Sequence, residues 1–168
     1  MRLEPVSGAL GPAGSGLDAS DLRIAVFAAE FNAVFVDPML EAARAAWARA
    51  GGAPAAFVAH RVPGAFELPL ACREAALTGR FHAVVALGCV IRGDTPHFDF
   101  VCAESARGLM QAGLESAVPV IFGVLTVETV AQAEERADPA RLDKGGEAVA
   151  AAITLARTLA AIREGRSA

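Results

Sequence analysis

His97 is the residue of this chain best suited to move a proton, because imidazole alone titrates near neutral pH without being perturbed. It ends the segment Arg92-Gly93-Asp94-Thr95-Pro96-His97, in which an apolar, strand-like run stops and a short polar loop leads into a new helix. A helix N-terminus offers free backbone N–H groups and the positive end of the helix dipole, which together favour an anion. A proton shuttle beside an anion site suggests a phosphorylated substrate. Phe31 and Phe66 are large apolar side chains in loops; they either stack on a flat heterocycle or cap the core. Glu67 opens a helix, where it either favours the dipole or accepts hydrogen bonds from ligand hydroxyl and N–H groups. Arg136 ends a helical stretch, a place where a cation suits the dipole, but an arginine fork is also the preferred grip for phosphate. Arg141 and Lys144 are the other cations of the last loops. Arg92-Gly93-Asp94 spells an adhesion tripeptide, a chance match in a chain without a secretion signal.

These residues are useful together only if the fold gathers them. Apolar runs at 22–28, 55–62, 83–91 and 118–125 read as buried strands, and Ala/Leu/Glu/Arg-rich stretches at 34–49, 67–78, 98–112, 127–137 and 145–164 read as helices. Asp37-Pro38 is expected in the opening turn of the first helix, where proline's missing donor does no harm. Gly51-Gly52, Gly79 and Gly113 are expected to end the first three helices. Val149, Ala152, Ile153, Ala156 and Leu159 form a core-facing stripe on the last. Regular alternation predicts a doubly wound α/β sheet of four parallel strands with helices on both faces. The loops after the strands then meet at one edge, where ligands bind: residues 29–32, 63–67, 93–97 and 126–129.

The 168 residues suit one domain, predicted from residue 21 to 168 behind a flexible arm of residues 1–20 that a neighbouring subunit could order. A net charge of −4 and the lack of any basic cluster interleaved with aromatics argue against nucleic acid. No apolar run approaches the ~20 residues of a membrane span, and no secretory signal is evident, so a cytoplasmic location is expected and no membrane partner. The composition, 54% hydrophobic and 20% charged, is apolar enough to suggest burial between subunits. Cys72, Cys89 and Cys102 read as reduced, buried thiols. No Walker A or GxGxxG motif follows a strand, which disfavours ATP and nicotinamide chemistry. His60, His82 and His97 lack metal-ligand spacing, and no CxxC or HExxH occurs, so no metal is expected; His60 and His82 read as structural or exposed.

Three segments carry a family resemblance: VPGAFELP at 62–69, ALGCVIRGDTPHFDFV at 86–101 and FGVLTVETVAQAEERA at 122–137. With Phe31-Asn32 after the first strand and Lys144-Gly145 before the last helix, the chain resembles the lumazine synthases of riboflavin biosynthesis over about residues 22–162. The resemblance implies a flavodoxin-like, three-layer α/β/α sandwich of strand order 2-1-3-4. It implies condensation of 5-amino-6-(D-ribitylamino)uracil with 3,4-dihydroxy-2-butanone 4-phosphate, with no cofactor. By motif position Phe31 stacks on the pyrimidine, and Ala65, Phe66 and Glu67, with Cys89, Val90 and Ile91, bind its ring and ribityl chain. Asp94 and Thr95 hold the phosphate-bearing substrate, Arg136 grips its phosphate with Lys144 nearby, Phe122 completes the ring pocket, and His97 transfers protons. The family forms homo-oligomers built on pentamers, sometimes decamers or shells of sixty, with active sites shared between subunits, so Phe122 and Arg136 are expected from the neighbour of the subunit giving Phe31, Glu67 and His97. The chain departs from the family at Asp94, which adds negative charge at the phosphate site, at 138–143, which replaces a Gly/Lys/Asn-rich turn, and at Cys89, where Thr is frequent. A non-catalytic flavin- or lumazine-binding module and a purely shell-forming relative are the alternatives.

Overall fold

The computed structural model describes residues 16–165. Four parallel strands, β1 (Ile24–Ala29), β2 (Phe57–Val62), β3 (Ala83–Ile91) and β4 (Val120–Val127), form one sheet of order β2-β1-β3-β4. Crossover helices connect them: α1 (Ala33–Arg49) after β1, α2 (Leu68–Leu77) after β2, and α3 (His97–Ser116) after β3. Helices α4 (Val130–Ala137) and α5 (Lys144–Arg163) follow β4. The central strands β1 and β3 are buried on both faces, as their unbroken apolar runs require of a covered parallel sheet.

Alternation along the strands divides the core into two layers. Ile24, Val26, Val85 and Leu87 face α1, α4 and α5, with Met39, Trp47, Val149 and Ile153. Ala25, Phe27, Val84 and Ala86 face α2 and α3, with Leu68, Cys72 and Leu109. This is the three-layer α/β/α arrangement with the expected strand order. Helix α5 is long and apolar enough to cross a membrane by length and composition, but Val149, Ala152, Ile153 and Ala156 of its predicted stripe are core, while Leu159 at the stripe's end is only half-buried.

Several boundaries differ from the sequence reading. Helix α3 passes through Gly113 and stops at Ala117, which takes the left-handed conformation (φ 54°). The Ser116 hydroxyl accepts from the Val118 amide and so closes the turn without a glycine. Helix α4 starts at Val130, not Val127, because Val127 still pairs with Ile91 in the sheet and Thr129 is the extended N-cap, accepting from the Gln132 amide. Pro38 lies inside α1, past its opening turn, so the Val34 carbonyl lacks the amide donor it would otherwise meet. Gly51 and Gly79 do follow their helices at positive φ. The predicted arm falls mostly outside the described residues. Of its last part, Ala19 is fully buried and donates to the Ala50 carbonyl at 2.8 Å, so packing begins before Asp21.

Candidate active site

All four strand-end loops lie at the carboxyl edge of the sheet, and short hydrogen bonds tie them together. Glu30 and Phe31 donate backbone N–H groups to the carbonyls of Val62 and Pro63, at 2.8 and 3.0 Å. Asn32 caps α1 from the left-handed region (φ 60°), and its amide donates to the Cys89 carbonyl at 2.9 Å, joining the β1 loop to the end of β3. Asparagine tolerates that conformation better than most residues.

A cavity of about 750 Å³ opens where the loops after β1, β2 and β3 meet; the turn after β4, expected beside them, gives it no lining residue. The β1 loop contributes Phe31; the β2–α2 loop contributes Pro63, Gly64, Ala65, Phe66 and Glu67. Cys89, Val90, Ile91, Gly93 and Thr95 come from β3 and its loop, and His97, Phe98, Phe100 and Val101 from α3. That volume suits a drug-sized ligand, and the lining is mostly apolar with a few polar groups, the usual composition of a small-molecule site. Phe31 and Phe66 are 70% and 58% exposed, so neither caps the core; both stand open to solvent in the cavity lining. Glu67 holds the N-cap position of α2 without capping it through its side chain, and among the described residues its carboxylate has no partner. His97 begins α3 and is likewise exposed and unpartnered.

The loop geometry is fixed from beneath. Ser105, the one fully buried polar side chain among the described residues, donates its hydroxyl to the Ala65 carbonyl at 3.0 Å and so pins the β2–α2 loop to α3. Arg92 donates to Glu128 at 2.7 Å and to both oxygens of Asp99 at 2.9 and 3.3 Å. The hydrogen bonds it donates to Asp99, and then to Glu128, hold its guanidinium above the ordinary arginine pKa. Burial pushes the Cys89 thiol up to about 11, leaving it neutral at physiological pH.

Not every predicted site residue lines this cavity. Asp94 is exposed on the same loop but off the lining. Phe122 and Lys144 line a second concavity of about 260 Å³ between the edge strand β4 and α5, where Lys144 pairs with Glu147 at 2.5 Å. Arg136 belongs to neither; it donates to the Gln132 carbonyl at 3.1 Å and lies 3.8 Å from Glu135. Within one protomer, then, the described residues bring together an aromatic shelf, a carboxylate and an imidazole, while Phe122, Arg136 and Lys144 stand apart. Sequence reasoning missed Phe98, Phe100 and Val101, although positions 97, 100 and 101 share a helix face by spacing. It also passed over Arg92 and Ser105, whose roles depend on partners distant in sequence. His60 stacks on Phe27, and His82 accepts from the Arg23 amide, so both are structural. Among the described residues no three His, Cys, Asp or Glu side chains are grouped to hold a metal.

Residues 21–160 match the sequence profile of a family described as 6,7-dimethyl-8-ribityllumazine synthase. A protein of that name from Thermus thermophilus is 47% identical over 146 residues, 87% of this chain and 93% of the relative. Another from Chlorobium phaeovibrioides is 42% identical over 155 residues, covering 92% and 96%. A third, from Desulfovibrio desulfuricans, is 44% identical over 143 residues, covering 85% and 92%.

Proposed function

The chain belongs to the 6,7-dimethyl-8-ribityllumazine synthase family, and from that membership we propose how its cavity carries out the condensation. The enzyme joins 5-amino-6-(D-ribitylamino)uracil to 3,4-dihydroxy-2-butanone 4-phosphate, giving 6,7-dimethyl-8-ribityllumazine, phosphate and water. The observation that carries the assignment of roles is that His97 and Thr95 share one cavity with Phe31, Phe66 and Glu67.

The pyrimidine stacks on Phe31, with Ala65, Phe66 and the Cys89-Val90-Ile91 strand end around its ring. Glu67 accepts hydrogen bonds from the ribityl hydroxyls, a role its unpartnered carboxylate can fill. The second substrate occupies the loop beside Thr95, with Asp94 at its outer side. The amine attacks the ketone, the adduct loses water to an imine, phosphate leaves, and the second nitrogen closes the ring with loss of water. Each step moves a proton, and an exposed imidazole at the α3 terminus can relay them; such positioned acid–base catalysis contributes about 10²–10⁴-fold. The rest comes from holding two reactants in one rigid cavity and from stabilising the departing phosphate.

An arginine or lysine is the strongest grip on a phosphate, and the described cavity lining contains neither. We assign that role to Arg136, with Lys144 nearby, and completion of the ring pocket to Phe122, all three reaching the cavity from an adjacent subunit of a homo-oligomer built on pentamers. Two features support this reading. Those residues stand away from their own protomer's cavity, and α2 and α3 also expose Leu70, Leu77, Met110 and Leu114, large apolar side chains of the kind that a partner surface covers. The three unpaired thiols suit a reducing, cytoplasmic setting. Incubating the purified protein with both substrates tests the assignment: lumazine fluorescence should rise in step with released phosphate, and Arg136→Ala should raise KM for the phosphate substrate at least tenfold. An Arg136→Ala enzyme with parental KM removes Arg136 from the site.

A further inference from the structure

Arg92 links three elements at the cavity edge. Its backbone N–H donates to the Val127 carbonyl at 2.9 Å, extending the β3·β4 ladder by one step. Its Nε donates to Glu128 in the β4–α4 turn at 2.7 Å, and its two terminal nitrogens reach the Asp99 carboxylate in the first turn of α3. The guanidinium also lies 4.1 Å from the ring centre of Phe98, which lines the cavity. Between the anchors at Arg92 and Asp99, residues 93–95 make no hydrogen bond among the described residues. The conformation of the loop, and the placement of Thr95 and His97, therefore depend on how its two ends are held. Only a planar, multidentate cation can meet both carboxylates and stack on a ring together.

We propose that Arg92 is a positioning residue for the condensation: it clamps the start of α3 and the β4–α4 turn to the end of β3 so that His97 and Thr95 meet the substrates in register. This rests on the proposed reading of the cavity and adds a residue that touches no substrate. Small displacements of catalytic groups are costly, a misplacement near 1 Å being worth up to about 100-fold in rate.

The test compares Arg92→Lys, Arg92→Met and Asp99→Asn with the parent, counting active sites by stoichiometric binding of 5-amino-6-(D-ribitylamino)uracil. Per binding site, kcat should fall about tenfold in Arg92→Lys and Asp99→Asn, and about 100-fold in Arg92→Met. The Kd for the pyrimidine should stay within about twofold, because Phe31 and the β2–α2 loop do not lean on Arg92. Combining Arg92→Met with Asp99→Asn should cost little more than Arg92→Met alone, since both break one clamp. Millimolar guanidinium should restore part of the activity of Arg92→Ala and none to Arg92→Lys. Parental kcat per site in Arg92→Met, or a loss that vanishes once binding sites are counted, overturns the proposal and leaves the enzyme reading intact. An inactive parent overturns the reading of the cavity itself, and the proposal with it.

Discussion

Burial sets the chemistry of Cys89, which lines the cavity yet is almost wholly shielded from solvent. Its thiol, held near 11 against an ordinary 9.0, carries little thiolate at neutral pH and is a poor nucleophile despite its position. Iodoacetamide at pH 7.5 should label the more exposed Cys102 before Cys89, as followed by peptide mass spectrometry; faster labelling of Cys89 contradicts the burial argument. The same shift has a stability consequence with a definite sign. The folded state holds this proton more tightly than the unfolded one, so the stabilisation is complete below about pH 9 and is lost as pH rises through about 11. Thermal midpoints measured from pH 8 to 11 should fall more steeply for the parent than for Cys89→Ala. Ser105 acts in the opposite way, through a hydrogen bond that must be made. Removing its hydroxyl leaves the Ala65 carbonyl without that donor at a cost of about 1–3 kcal/mol, so Ser105→Ala should lower the urea midpoint and loosen pyrimidine binding through the β2–α2 loop.

Close approach between helices decides what the elements tolerate. A Cβ on Gly145 would sit 2.1 Å from the Met39 carbonyl oxygen, so α5 reaches its place against α1 only because that position has no side chain. The obstacle is backbone and cannot rotate away. Gly145→Ala should cost about 3 kcal/mol or more, lowering Tm by about 6–12 °C in calorimetry; an unchanged Tm would show that the two helices can part freely. Element order and the parallel sheet were legible in the residues, because buried parallel strands write themselves as continuous apolar runs and alternation leaves few topologies; the strand order, which the structure shows, came only from the family resemblance. The errors at Gly113 and Val127 have a common origin. A glycine suggested the stop and local composition the start, but the helix end was closed by Ser116 with Ala117, and the helix start was delayed by sheet pairing to Ile91. His97, Phe31, Phe66 and Glu67 were legible as neighbours lining one cavity, a candidate site, because each stands where a strand-end loop had to be. Arg92 and Ser105 were not, since their meaning lies in Glu128 and Ala65, 36 and 40 residues away.

At the scale of the molecule, a cavity whose described lining holds no lysine or arginine, and exposed apolar side chains on α2 and α3, favour an assembly of the same chain. Sedimentation velocity should therefore give a species several times the 17.2 kDa of one protomer; a monomer active at the same concentration would contradict the proposed sharing. If adjacent subunits complete each site, His97→Ala and Arg136→Ala chains that are separately impaired should regain activity when dissociated and reassembled together, because some interfaces then pair an intact His97 with an intact Arg136. Co-assembly without recovery would place both residues in one protomer's site. The central claim is that one strand-edge cavity holds both reactants while His97 moves their protons. It is tested most directly by steady-state turnover of His97→Ala beside its pyrimidine Kd, read by lumazine fluorescence and released phosphate. The account predicts a kcat lower by about 100-fold or more with Kd within a few-fold of the parent; equal turnover, or a loss of binding that accounts for the whole effect, would contradict it.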